Sequence, residues 1–289
     1  MAGLPTGPAL LAQDPFEETF VILASASRAV QLPTASGGEG FTPPGPEIFW
    51  LPIIGDGEWA ITEQMIWGGV SVVLISVALI MLTRNVSIVP SKSQFLFEGF
   101  YNFARNGIAR DMIGSKHFLK FVPLLFSIFT LILVNNWFGV LPPVMNPTFG
   151  RIGFPIAATV VVYVVYHWVG IKRFGLGGYF AHMIPEGLPG WIKPVIFPLE
   201  LITYFITRPL TLALRLFGNM FAGHILIVLF VSAGAYFLTQ GILFQLLSIP
   251  TFAMAGIMWL FEALIQALQA YVFTLLAASY IAGALAEDH

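Results

Sequence analysis

The sequence predicts an all-α integral membrane protein of five to six membrane helices. One of these is amphipathic and interfacial, and the last two are long, tilted and form a hairpin. Three observations carry the prediction. Of the 289 residues, 57% are hydrophobic and only 10% are charged, against roughly 25% charged in a soluble domain. The mean hydropathy is +0.83. The apolar residues run in unbroken blocks rather than in the two-residue alternation of a barrel strand, so each block must satisfy its backbone internally as a helix.

The same composition excludes several function classes. A net charge of −2 offers no basic surface for nucleic acid. Without cysteine there is no disulfide framework and no thiol chemistry. No Cys/His cluster has zinc-site spacing and no Gly-Lys phosphate loop occurs, so neither a metal nor a cofactor is expected. No internal repeat pairs two halves in the manner of many transporters.

Residues 1–63 read as a polar, Pro/Gly-rich tail. Eight acids (Asp14, Glu17, Glu18, Glu39, Glu47, Asp56, Glu58 and Glu63) face one base, Arg28. The run Phe20–Ala26 follows acids rather than lysines and is too short to span, so a small core or interfacial contact is expected there. Gln64–Thr83 is the first span, closed by Arg84. Its length of about 20 uncharged residues matches a hydrocarbon core of about 30 Å. Residues 91–117 are amphipathic. Phe95, Phe97, Phe100, Phe103, Ile108 and Ile113 interleave with Lys92, Glu98, Arg105, Arg110 and Lys116, as in a helix lying on the membrane surface.

Residues 118–171 are expected to form a helical hairpin. Its first arm, Phe118–Val140, carries Asn135 and Asn136 near its end and is followed by Leu141-Pro142-Pro143. Its second arm, Ile152–Ile171, is closed by Lys172 and Arg173, and Gly175–Gly190 reads as a loop. The phenylalanine-rich spans are read as lipid-facing. His117, His167, His182 and His289 lie near span ends, in loops or at the terminus and are given no role.

Basic residues set the orientation. Arg84, Lys92, Arg105, Arg110, Lys116 and Lys120 lie between spans one and two, and Lys172, Arg173 and Lys193 follow span three. Only Arg28 and Arg151 fall in the opposite loops. The bias places the amino terminus outside and the carboxyl terminus in the cytoplasm.

Two apolar segments remain, about 194–238 and 241–286. At about 1.5 Å per residue each would reach about 68 Å, twice what a span requires. Each is either one long bent helix or two short spans turning at Gly218-Asn219 and at Ser248-Ile249-Pro250. Coherent polar faces favour the long hairpin, 194–286. At about 100° per residue, Arg208, Thr211, Arg215, Gly218, Asn219 and Ala222 share one side. His224 falls on the opposite side, about 13.5 Å beyond Arg215, and Glu200 lies about four turns before it. On the last segment Glu262, Gln266, Gln269, Phe273 and Tyr280 form one stripe.

Arg215 is the costly residue. An arginine at the bilayer centre is unfavourable by about 2.5–3.5 kcal/mol on insertion scales and about 10–17 kcal/mol in simulations. Such a charge faces a partner or a wet cavity, and its first reading is functional. A buried Glu262 likewise needs a cationic or hydrogen-bonding partner, or must keep its proton. His224 is the nearest candidate by chemistry.

The run Thr211-Leu212-Ala213-Leu214-Arg215-Leu216-Phe217-Gly218-Asn219-Met220-Phe221-Ala222-Gly223 resembles subunit a of the rotary F-type ATP synthases. Leu268-Gln269-Ala270-Tyr271-Val272-Phe273-Thr274, Val89-Pro90-Ser91-Lys92 and Asn135/Asn136 before Leu141-Pro142 are similar to the same family, over roughly residues 60–289. The resemblance implies a tilted hairpin curved around a ring of c subunits, with b-type peripheral stalk subunits, the rest of the synthase and membrane lipids as further partners. It implies proton translocation through two aqueous half-channels, with no catalysis by the chain itself, in a bacterial plasma membrane rather than a mitochondrial inner membrane.

It also implies roles. Arg215 would face the ring carboxylate and bar a direct proton wire. Asn219 and Gln269 would lie beside it, Glu200 toward the cytoplasmic path, and His224 with Glu262 in the outer path. Thr211, Gln266 and Arg208 would support them. His224 and Glu262 are exchanged relative to some members, as in mitochondrial forms. The loop Pro147–Pro155 lacks the Asp/Asn-containing run that often opens the next helix. The alternative is a proton-coupled secondary transporter, with Arg215 binding an anionic substrate and Glu262/His224 coupling protons.

Overall fold

The computed structural model describes residues 41–46, 52–54, 60–84, 87–142, 144–184 and 189–286. Arg28, the run Phe20–Ala26 and every acid of the tail before Glu63 lie outside the described residues. The described part of the tail includes a short antiparallel pair, β1 (Pro52–Ile54) and β2 (Ile61–Thr62). The ring of Phe41 packs 5.6 Å from that of Tyr236.

Helix α1 (Glu63–Arg84) begins with an acid and ends with a base, both favourable to its dipole. Most of its surface is exposed and apolar, with Val72, Val73, Val77, Ile80 and Met81 turned outward. Helix α2 starts at Lys92–Asn102, capped by Ser91, and runs through a π-helical segment (Phe103–Arg110) into Asp111–Ile113. Gly114, at φ 84°, ends it in a conformation that suits glycine. The amphipathic helix is therefore present and is also docked. Ala104, Ile108 and Ala109 are buried, and Phe100 stacks on Phe129 at 5.2 Å.

Helix α3 (Val122–Phe138) follows a short 3-10 turn (Phe118–Lys120). Its phenylalanines are not all lipid-facing. Phe126 and Phe129, and Phe118 in the turn before, are buried, because α2 lies across them and supplies ring partners to the first two and the Arg105 guanidinium to Phe118.

Helix α4 (Gly153–His182) overturns the first part of the expected loop Gly175–Gly190. Gly175 adopts φ 71°, ψ 171°, and the helix resumes beyond it as far as His182. The resumed turn is held by side chains. The Tyr179 ring packs where Gly170 has no Cβ, and its hydroxyl hydrogen-bonds His167 Nδ1 at 2.6 Å. The expected hairpin of α3 on α4 is splayed as well. α3 packs mainly on the last helix and α4 on both long ones, with an apolar cavity between α1, α3 and α4.

The last two helices are continuous. α5 (Lys193–Leu238) has 46 residues and α6 (Ile242–Leu285) has 44, which makes each about 66–69 Å long. The short-span alternative is not adopted. Pro198 and Pro250 sit inside helices, as membrane helices tolerate. Pro209 lacks the N–H that would bond to Phe205, and the turn Thr203–Thr207 just before it is π-helical. Buried Leu212, Leu216 and Met220 of α5 join Ala270, Phe273 and Ala277 of α6 in the core. Among the described residues, α1, α4, α5 and α6 are long and apolar enough to cross a membrane, and α3 is a shorter apolar helix of 17 residues.

Candidate functional site

The site is built on the two long helices. Leu212 and Leu216 turn inward and are buried, so Arg215 between them points away from the core and is exposed. Among the described residues its guanidinium makes no ion pair and no hydrogen bond. Thr211, on the same exposed side, spends its hydroxyl on its own helix, donating to Thr207 O at 2.7 Å. Gly218 has nothing within 4 Å of where a Cβ would stand, and Ala222 is exposed. The part of the expected face made of Thr211, Arg215, Gly218 and Ala222 is therefore open.

Arg208 does not share that openness. It is half-buried, with its guanidinium 3.5 Å from the ring centroid of Tyr204 and 5.2 Å from that of Tyr280 on α6. Tyr166 of α4 secures this cage by donating its hydroxyl to Tyr204 O at 2.7 Å.

Asn219, one turn beyond Arg215, donates from Nδ2 to Gln269 Oε1 at 2.8 Å and so joins α5 to α6. The polar part of the α6 stripe is buried, with Glu262 at 4%, Gln266 at 0% and Gln269 at 4% exposure. Gln266 Nε2 donates to Glu262 Oε1 at 3.1 Å and approaches Met220 Sδ at 2.9 Å. Glu262 Oε2, Gln266 Oε1 and Gln269 Nε2 are buried without a hydrogen-bond partner among the described residues.

Glu262 and His224, expected to pair, lie on the two long helices where α6 meets α5. The Glu262 carboxyl is bonded by Gln266 and seated against Gly223, where a Cβ would lie 2.8 Å from its Cδ. His224 is the next residue and is buried. The Glu262 carboxyl is thus seated one residue of α5 away from the buried His224. Glu200 stands apart. Its carboxylate is half-buried and makes no hydrogen bond or ion pair among the described residues. The π turn at Thr203–Thr207 also breaks the regular-helix phase by which it was placed relative to Arg215.

Sequence reasoning missed Gly223 as the seat of the carboxyl. Nothing local marks it, because the requirement comes from the register of α6. It also gave Asn136 no position in the site. Asn136 Nδ2 donates to Gln266 O at 3.0 Å and its Oδ1 is a further buried, unpartnered atom. The pair Asn135-Asn136 at the end of an apolar span was the available signal.

A family model described as ATP synthase A chain matches residues 65–282. ATP synthase subunit a of Pseudarthrobacter chlorophenolicus is 44% identical over 264 residues, which cover 90% of this chain and 98% of its own length. The subunit a of a Nocardioides species is 42% identical over 265 residues, covering 87% and 96%. That of Rhodococcus erythropolis is 34% identical over 262 residues, covering 89% and 95%. These matches do not favour the secondary-transporter alternative. The matched region runs from the first turn of α1 almost to the end of α6, and so this chain belongs to the ATP synthase A chain family, as a proton-translocating, non-catalytic subunit a of the Fo sector.

Proposed function

We propose that this chain guides protons between two aqueous half-channels and a ring of c subunits, with Arg215 as the fixed cation between the two paths. One observation carries the reading: an exposed arginine on an apolar helix, with no anionic partner among the described residues of its own chain. The open face of Thr211, Arg215, Gly218 and Ala222 is where the ring would pass.

A carboxyl carried through lipid keeps its proton, because the charged form is poorly solvated there. Opposite Arg215 the carboxylate is stabilised and the proton is released. Arginine suits the role because it does not lose its own proton. Its charge also repels a proton that would otherwise pass directly from one path to the other.

The outer path would run by Asn136, Gln266, Glu262 and His224 to Asn219 and Gln269. Buried polar atoms without partners are unfavourable by about 1–3 kcal/mol each in a dry interior, and such atoms line this route. Water entering the route would satisfy them. Glu200 would lie on the cytoplasmic path, with Thr211 and Arg208 in support. The b-type peripheral stalk and surrounding lipids complete the partners. The Lys/Arg bias supports an amino terminus outside and a carboxyl terminus in the cytoplasm, and the bacterial relatives support a bacterial plasma membrane setting.

The test is Arg215→Ala in the complete synthase reconstituted in vesicles. ATP-driven proton pumping is expected to vanish while ATP hydrolysis persists. Pumping that survives the substitution would remove Arg215 from the mechanism.

A further inference from the structure

We propose that the cavity between α1, α3 and α4 holds one acyl chain of a phospholipid whose phosphate rests on Arg151. The cavity has a volume of about 400 Å³ and walls that are almost entirely carbon, among them Gly68, Val72, Leu131, Phe154, Ala157 and Val161. It exists because small residues face each other. Gly68 and Gly69 on α1 and Ala157 and Ala158 on α4 all line it. The two helices touch beside it, where a Cβ on Gly68 would lie 3.3 Å from the Phe154 ring.

The depth of the cavity fits a bilayer occupant. By the rise of 1.5 Å per residue, its helical lining lies about 2–14 Å inside the same end of all three helices. Most of that is hydrocarbon depth, and apart from Asn135 and Thr148 the walls offer a polar ligand nothing to bond. Interiors are close-packed, and a hollow of this size forfeits dispersion contacts unless something fills it. A transmembrane helix is about 10 Å across and does not fit. A single hydrocarbon chain does.

The rim of the cavity supplies the charge. Arg151 lies three residues from Thr148 and three from Phe154, both of which line the cavity. Its Nη1 donates to Thr62 Oγ1 at 2.9 Å, which ties the guanidinium to the residue just before α1, one of the three helices around the cavity. Among the described residues it has no carboxylate partner. The neighbouring Glu63 carboxylate is occupied by Trp67 Nε1 at 3.2 Å. A fixed guanidinium with free N–H groups matches a phosphate in shape and charge.

The lipid would also act as a wall. Asn135 lines the cavity and donates to Ser71 Oγ at 2.9 Å, and the adjacent Asn136 reaches the α6 stripe. An acyl chain here separates that polar layer from the bilayer. Nothing in this lipid site depends on the role given to Arg215.

The experiment uses the complete synthase in nanodiscs containing phosphatidylglycerol with a diazirine on its acyl chain. After photolysis, labelled peptides are mapped. Saturable labelling is expected at residues 68–72 and 157–161, competed by unlabelled phosphatidylglycerol. Ala157→Phe, which fills the cavity, should reduce it about tenfold and leave labelling of the outward face at Val77 and Ile80 unchanged. Arg151→Gln should weaken labelling by the phosphatidylglycerol probe and spare that by a diacylglycerol carrying the same chain.

Non-saturable labelling of the wild type overturns the proposal, a reading that needs no variant to fold. So does unchanged labelling in Ala157→Phe, or labelling that falls on another protein chain in place of residues 68–72. Equal loss of both probes in Arg151→Gln overturns the phosphate contact.

Discussion

The carboxyl of Glu262 rests on the backbone of Gly223, so closely that a methyl group there would stand 2.8 Å from Cδ, 2.9 Å from Oε1 and 3.0 Å from Oε2. The two residues belong to different helices. α5 and α6 can bring an acid this near only because glycine has no side chain at that level. Gly223→Ala should push the carboxyl off its seat and lower ATP-driven proton pumping about tenfold in an assembled complex. Adding Glu262→Asp, which withdraws the carboxyl by one methylene, should recover part of the loss. Fluorescence quenching in vesicles measures both, and wild-type pumping in Gly223→Ala would show that the seat is idle.

The Asn219–Gln269 hydrogen bond is the polar tie between the long helices nearest Arg215. Replacing each by leucine, singly and together, gives a double-mutant cycle. A coupling energy of about 0.6 kcal/mol, and at most about 1.7, is expected for such a bond in a membrane. It is read from denaturant unfolding of the reconstituted subunit. Strictly additive effects would mean that the two amides are not partners.

Arg208 and Arg215 should separate by phenotype. Arg208 is enclosed by Tyr204 and Tyr280, and a desolvated cation–π contact contributes about 2 kcal/mol. Arg208→Gln should lower thermal stability by about that amount. Arg208→Lys should fall between, because it keeps the charge and loses the planar stack. Both variants should still pump. Loss of pumping in Arg208→Gln at unchanged stability would place this arginine in the path instead.

The break in α4 is held by one tyrosine. Tyr179→Phe removes the hydrogen bond to His167 Nδ1, and His167 Nε2 is already without a partner. Stranding the buried ring should destabilise the subunit by about 1–3 kcal/mol. Gly170→Ala should be worse, since the new methyl group overlaps the Tyr179 ring. Assembly yield and melting temperature are the measurements. An unaffected Gly170→Ala would mean that Tyr179 does not fold back against α4.

Much of the fold could be read in one dimension. A bilayer punishes exposed backbone and isolated charge so heavily that span lengths and the oddity of Arg215 stand out in composition alone. The α6 stripe of Glu262, Gln266 and Gln269 was legible from its spacing, and its burial agrees with that reading. Less legible was anything set by a break in helical regularity. Gly175 and the π turn before Pro209 each shift the phase of the helix on their far side.

The order of amino acids alone established the membrane helices, the long final hairpin and the residue types that can carry protons. Which of those residues meet was left to the packing of the helices. Packing turned Arg208 into an aromatic cage and left Arg215 open, set Glu262 on Gly223, and tied Asn219 to Gln269. Burial and periodicity are local properties that each helix shows alone. The register between two helices is settled by how their side chains interlock, and no single stretch of chain contains that information.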